Sequence, residues 1–339
     1  MSSVIDEDVL VIFKNVDFSI LTEKSVLITG ASGLLGVYFI ASLKEAVKYI
    51  SGIKIYAVYK SDPSPFLIDL FNFQELETYQ GDITNSKFVE SLPSADFIIH
   101  ASGYGQPLKF MADPVRTLKM NTFSTFLLFD KLNDGGHFLY LSSSEVYSGL
   151  PAIQHLEREI GVTNTTHVRA CYIEGKRGGE AICNAYRTKG VHASSVRLSY
   201  TYGPGARAGD QRVLLSLIEK SFHGSIKLLD SGDAVRTFCY VSDAVEFMWY
   251  ILLFGKQPIY NISGKERTTI ANLAKLIGKK MDVPVIFPSV SNEIAGAPIE
   301  VELNTSLVEQ ESGKSDYHSL DEGVSKTIRW YKEFQNSSI

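Results

Sequence analysis

The chain is short of cysteine, of long apolar runs and of excess positive charge, and each shortage removes a class of protein. Its three cysteines, Cys171, Cys183 and Cys239, are too few and too irregularly spaced for a disulfide framework or a zinc site, and an odd, sparse count fits a reducing compartment. The seven histidines include no pair at metal-ligand spacing, so no metal is expected. The longest unbroken apolar run is "FMWYILLF", whereas a bilayer core needs about 20 such residues. The start, "MSSVIDEDVL", is acidic and does not read as a secretory signal. A net charge of -5 argues against a nucleic-acid partner, which would favour a basic face. Any phosphate-bearing ligand must then be met by a few local Arg, Lys or backbone donors. The expectation is a soluble cytoplasmic protein without nucleic-acid or membrane partners.

What is present is rhythm. Residues 1–22 form an extension with an apolar centre, "VLVIF", read as a small helix or strand lying on the body. From Ser25, short β-branched runs ("SVLIT", "IKIYAVY", "ADFIIHAS", "HFLYLSS") alternate with helical segments such as "LLGVYFIASLKEAVKYI" and "PVRTLKMNTFSTFLLFDKL". Continuous apolar strands separated by helices predict a parallel sheet buried on both faces, hence a doubly wound α/β fold of Rossmann type. A helix over about 169–189 and a strand, "ASSVRLS", extend the series. The rhythm then breaks at the Gly-rich "YGPGARAGDQR". The expected division is a dinucleotide-binding part over 23–198, to which 237–262 returns, and a smaller lobe over 199–236 and 263–339. "FMWY" reads as core, as do Cys171 and Cys183.

Two motifs carry chemistry. "VLITGASGLLG" sets Gly30, Gly33 and Gly36 between the first strand and the first helix of the series. Glycine permits a tight turn and close backbone approach to phosphate, and the helix start offers N–H donors; Ser32 and Leu34 belong to the same loop. The second motif is "CYIEGKR", in which Tyr172 and Lys176 lie four apart and leave one helix face together. A positive charge beside a phenol favours phenolate, and so makes a base usable near neutral pH. As a surface pair the two residues would mean nothing. After the second strand, Tyr59 stands where an acid for a ribose hydroxyl is often found; Lys60 tilts toward NADP and Asp62 toward NAD. Asp82 and Ile83, in "QGDIT", are placed for the adenine, and "HASG", with Ala101, Ser102 and Gly103, is the next turn over the cofactor.

The chain resembles the extended short-chain dehydrogenases/reductases of the nucleotide-sugar epimerase, dehydratase and decarboxylase group. The likeness covers about residues 24–262 and rests on "TGASGLLG", "GDIT", "HAS", "NTFSTFLL", "SSSEVYSG", "CYIEGKR", "YGPG", "GDQRV" and "RTFCYVSDAV". "SSSEVY" and "CYIEGKR" look most like UDP-glucuronate decarboxylases. The resemblance implies Ser143 as the catalytic hydroxyl with Ser144 and Glu145 beside it, Tyr172 as base and Lys176 as its partner. It implies Asn121 at the cofactor, and Tyr200, Arg212, Val213 and Arg236 at a nucleotide-diphosphate sugar. It also implies a homodimer through the helices around 114–132 and 169–189. Because such enzymes regenerate their cofactor in place and retain it, NAD is favoured over NADP.

The departures bear on the reaction. Decarboxylases of the group tend to carry a basic Arg-Lys-Pro-Asp stretch late in the chain, where "PIEVELNTS" stands here. An asparagine is usual where Tyr200 stands, and 4,6-dehydratases have Asp-Glu at Ser144-Glu145. Decarboxylation, 4-epimerisation and 4,6-dehydration therefore stay open, Glu145 being the acid-base residue that elimination would use. A net NADP-dependent reductase and a cofactor-binding regulator without turnover are the remaining alternatives. Arg212 and Arg236 could instead pair with Asp210 and Asp233.

Overall fold

The computed structural model describes residues 3–151, 154–207, 209–288 and 302–336. Seven strands form one all-parallel sheet: β1 (Ser25–Thr29), β2 (Lys54–Tyr59), β3 (Leu76–Gln80), β4 (Ala95–His100), β5 (Leu132–Ser143), β6 (His192–Leu198) and β7 (Ile259–Ile262), in the order β7-β6-β5-β4-β1-β2-β3. The reversal at β1 and β4 is the switch point of a doubly wound sheet, where a crevice opens beyond the strand ends. β1 is buried at all five positions, which is why its sequence reads as a continuous apolar run without alternation.

Around the sheet lie α1 (Ser3–Asn15), α2 (Leu34–Ala46), α3 (Pro65–Leu70), α4 (Ser86–Glu90), α5 (Pro107–Ala112), α6 (Pro114–Asn121), α7 (Phe123–Phe129), α8 (Ala170–Arg187) and α10 (Val241–Phe254), with α9 (Val213–Phe222) between the last two in the chain. The segment 114–132, expected as one helix, is broken at Thr122, whose backbone leaves helical geometry (φ -116°, ψ -68°). Hydroxyl-to-carbonyl bonds from Thr122 to Leu118 and from Thr125 to Asn121 compete with the regular ladder there. Asp113 starts α6 by accepting from the Arg116 N–H, and Pro114 follows at the first helical position, where its missing N–H is harmless.

The extension is a helix buried along one face, through Val4, Ile5, Asp8, Val9 and Ile12. α1 lies across α2 and α10, and the Trp249 ring is met edge-on by Phe18 and Phe39 at 5.1 and 5.3 Å. Helix α10, which contains "FMWYILLF", is therefore covered on nearly every side. Asp8 of α1 is fully buried; it accepts from the Tyr38 and Tyr240 hydroxyls at 2.7 Å each and pairs with Lys326. A buried carboxylate without such partners would cost several kcal/mol, so the network fixes how the extension docks.

Beyond the large sheet, short strands at Tyr200–Tyr202, Val235–Tyr240 and Arg267–Thr269 form a second sheet, with α9, α11 (Ile270–Met281) and α13 (Leu320–Asn336) among the remaining elements; α12 (Ser306–Ser312) packs on β7 and α10. In "PIEVELNTS", residues 298–301 lie outside the described residues, and Glu302–Leu303 pairs as a short strand with Gln154–His155. Among the described residues no helix is long and apolar enough to cross a membrane.

Candidate active site

One cleft at the carboxyl ends of the strands gathers residues that follow four neighbouring strands of the sheet. It is lined by Leu35 after β1, Ala101 and Gly103 after β4, Ser143 to Glu145 after β5, and Tyr200 and Thr201 after β6, with Tyr172 and Lys176 of α8 forming a wall. α8 faces the sheet through Tyr172, Ile173, Lys176, Gly179, Glu180 and Cys183, the recurrence of a helix buried along one stripe. Gly179 lets it approach, since a Cβ there would lie 2.1 Å from Cζ of Tyr140. Cys183 is buried in this stripe, whereas Cys171 is only half-buried beside the Phe110 carbonyl.

The predicted catalytic trio meets. The Ser143 hydroxyl hydrogen-bonds Tyr172, and its Oγ also accepts the Glu145 N–H at 3.2 Å, which turns the chain into the short helical turn at Ser144–Tyr147. Phe110 stacks on Tyr172 with centroids 4.5 Å apart. Lys176 Nζ donates to the Leu141 carbonyl at 2.6 Å and lies 5.6 Å from the Tyr172 ring centre. Burial pushes the Tyr172 phenol up to about 12, with the Ser143 hydrogen bond opposing. Burial likewise pulls Lys176 down to about 7, with Glu180 opposing. The ammonium is aimed at the Leu141 carbonyl and across the ring, and burial, not the neighbouring charge, is the largest influence on the phenol.

A buried ion pair underlies the trio. Arg197 meets Glu180 with two hydrogen bonds of 2.9 and 2.8 Å, and Ser142 donates to the same carboxylate at 2.5 Å. His100 is held by Met120 O at 3.0 Å and by Thr29 Oγ1 at 2.9 Å. A carbonyl only accepts, so Nε2 carries the hydrogen and Nδ1 accepts; burial, with Lys176 adding to it, lowers this imidazole to about 3. Thr29 Oγ1 accepts the Ser102 N–H as well, fixing the turn over the cleft.

Arg169, which the sequence reading passed over, changes the place of Glu145. Its guanidinium engages both Glu145 oxygens and sits 5.3 Å over the Phe110 ring. The carboxylate is thus already bonded, and elimination would need it released. Arg169 precedes Tyr172 by three residues, a spacing that puts it near the same helix face and was the available signal. Arg212 lines the cleft but is engaged by Asp210, the alternative pairing noted above, and stands just before Val213 at the start of α9 without a side-chain bond to the helix end. The Arg236 guanidinium lies 5.3 Å over the Tyr200 ring and donates to the Val235 carbonyl.

Glycines shape the cradle for a dinucleotide. A Cβ on Gly36 would lie 2.4 Å from the Gly30 carbonyl oxygen, and one on Gly30 2.6 Å from that of Ala101, so strand end, turn and helix start pack backbone to backbone. The first bond made by an N–H of α2 to the turn is Val37 N–H to Gly33 O, which leaves the earlier N–H groups of α2 pointing from its start. Asn121 sits under Gly103, donating to Thr117 O and accepting from Tyr140. At the far end, Asp82 accepts from Thr84, from Arg116 at 2.6 Å and from Lys60 at 3.4 Å. Burial opposes its ionisation, but these partners outweigh burial and hold the carboxyl below its usual range. Ile83 is buried, with its carbonyl accepting from Ser124, and half-buried Tyr59 packs on Phe71. Asp62 accepts from Gln80 instead of facing the cleft residues. These residues fit a dinucleotide.

A doubly wound parallel sheet with a glycine turn after β1 and Ser143, Tyr172 and Lys176 converging at its carboxyl edge defines an extended short-chain dehydrogenase/reductase. The comparisons refine the class. UDP-glucuronic acid decarboxylase 1 of Xenopus tropicalis is 27% identical over 313 residues, covering 91% of this chain and 72% of the relative. The epimerase Mth375 of Methanothermobacter thermautotrophicus superposes with a TM-score of 0.81 at 18% identity, covering 99% of this chain and 97% of the other. The dTDP-glucose 4,6-dehydratase DesIV of Streptomyces venezuelae, solved with NAD, gives 0.80 at 21% identity, covering 92% and 98%. The chain belongs to the NAD dependent epimerase/dehydratase family, whose model matches residues 26–263, and NAD is the cofactor for its cradle.

Proposed function

We propose that this protein decarboxylates a nucleotide-diphosphate glucuronate, most like UDP-glucuronate, through transient oxidation of the sugar at C4. The observation that carries the reading is the Arg169–Glu145 pair beside Tyr172. It engages the carboxylate that dehydration would require as an acid-base group, and it sets a guanidinium in the site of a chain whose late basic stretch is missing. The relatives named UDP-glucuronic acid decarboxylase support the same choice.

Bound NAD supplies the hydride acceptor and donor, and its positive ring adds the charge that Lys176 alone does not deliver to Tyr172. Tyr172 takes the C4 hydroxyl proton, Ser143 orients that oxygen, and Lys176 holds the strand-end carbonyl of Leu141. The C4 ketone then draws in the electron pair of the C5–carboxylate bond as carbon dioxide leaves. A proton from water replaces the carboxylate at C5, and Tyr172 gives its proton back to the C4 oxygen, the hydride being what bound NAD would return. Arg212 would exchange Asp210 for the substrate diphosphate at the start of α9, with Arg236 and Tyr200 beyond it, an arrangement suited to a planar guanidinium fork. We also assign a homodimer to the faces of α6 and α7, where Leu118, Phe123 and Phe126 are exposed.

The test is to incubate the purified protein, without added cofactor, with UDP-glucuronate, UDP-glucose and dTDP-glucose separately and to weigh the products. Release of carbon dioxide from UDP-glucuronate is expected. Loss of water from a hexose would replace this reading with dehydration, and a new sugar of unchanged mass with epimerisation.

A further inference from the structure

The NAD cradle lacks, within the glycine turn itself, a full positive charge to meet the two negative charges of a dinucleotide's diphosphate. Its backbone donors are partly used: the Ala31 N–H bonds to Val58 O at 3.1 Å and the Gly33 N–H to Gly30 O at 2.9 Å. What remains is the start of α2, whose dipole amounts to roughly half an elementary charge.

The Gly-rich segment after β6 brings a cation there from far along the chain. Gly203 and Gly205 take φ of +152° and +86°, and a Cβ on Gly205 would meet Cγ1 of Val37 at 2.9 Å, so this segment is seated directly on α2. Ala206 is buried, and Arg207 emerges over the glycine turn. Its Nε donates to Ser32 O at 3.1 Å and its Nη2 to Ser32 Oγ at 2.5 Å. These two bonds hold the guanidinium on the turn and use two of its five N–H donors.

We propose that Arg207 grips the diphosphate of NAD, closing over the glycine turn as a clasp. A guanidinium fork pinned at one edge by Ser32 presents its other N–H groups at fixed geometry, which suits bidentate contact with phosphate oxygens. The same segment continues to Asp210 and Arg212 at the substrate side of the cleft, so one loop touches both ends of the site. Retention of NAD through many turnovers then depends on a residue outside the glycine motif.

The experiment compares wild type with Arg207→Gln and Arg207→Lys after NAD removal, titrating NAD and ADP-ribose by calorimetry and adenosine by ligand-observed NMR. Arg207→Gln is expected to weaken NAD and ADP-ribose by about tenfold or more, the worth of one charge-assisted contact, while adenosine binds unchanged. Arg207→Lys, a point charge without the fork, should fall between. Unchanged affinity for NAD, or an equal loss for adenosine, overturns the proposal. Should Arg207→Gln fail to fold, Arg207→Lys decides alone: a loss confined to the two diphosphates supports the clasp, and none refutes it. Neither result depends on which sugar the enzyme converts.

Discussion

Lys176 should make this protein less stable than it would be without that charge. Burial lowers its pKa from 10.5 to about 7, a difference between protonation states of about 5 kcal/mol at 1.36 kcal/mol per pKa unit. The folded pKa lies below the unfolded one, so between about 7 and 10.5 the unfolded chain binds the proton more tightly and stability rises with pH. Below about 7 the penalty is fully present. Lys176→Met removes the charge at similar volume, but it leaves the Leu141 carbonyl without its 2.6 Å donor, a loss of about 2 kcal/mol for a bond from a charged group. The expected net gain is about 3 kcal/mol at pH 6. With an unfolding entropy of about 2.1 cal/mol/K per residue, that is roughly 4 °C in Tm for a chain of this length. Differential scanning calorimetry of both proteins without NAD, at pH 6, 8 and 9.5, measures it. The gain should shrink steadily toward pH 9.5 while catalysis stays abolished. A variant less stable at pH 6, or a gain independent of pH, would refute the reasoning.

Three further outcomes are expected. Tyr172→Phe should lower kcat by about 10²- to 10⁴-fold in a coupled carbon dioxide assay, with Tm nearly unchanged because only the Ser143 bond is lost. Glu180→Leu leaves Arg197 buried and unpaired, so it should cost about 3–5 kcal/mol in urea unfolding, whereas Glu180→Leu with Arg197→Met should recover most of that. His100, held neutral in the fold with a pKa of about 3 against 6.5, contributes stability that is present above pH 6.5 and lost as pH falls toward 3; the urea midpoint of His100→Asn should vary less between pH 7 and 4.5 than that of wild type.

The groups in these experiments differ in how far the chain itself announces them. Tyr172 and Lys176 stand one helical turn apart, and Gly30, Gly33 and Gly36 stand between a strand and a helix, so local spacing is enough. Arg169 was equally local but carried no motif of its own. Glu180 and Arg197 look like two ordinary charges on a helix and a strand, and their burial together is visible only once α8 lies on β5 and β6.

By itself the sequence determined the alternation of strand and helix, the parallel sheet, the glycine turn and the face of α8 that carries Tyr172 and Lys176. Each of these follows from backbone periodicity or from steric freedom within a few residues. Tertiary structure alone decided the partners: Arg169 on Glu145, Arg207 on Ser32, Arg116 and Lys60 on Asp82, and Asp8 sunk between Tyr38 and Tyr240. It also set the upward push on the Tyr172 phenol, because desolvation depends on everything packed around it.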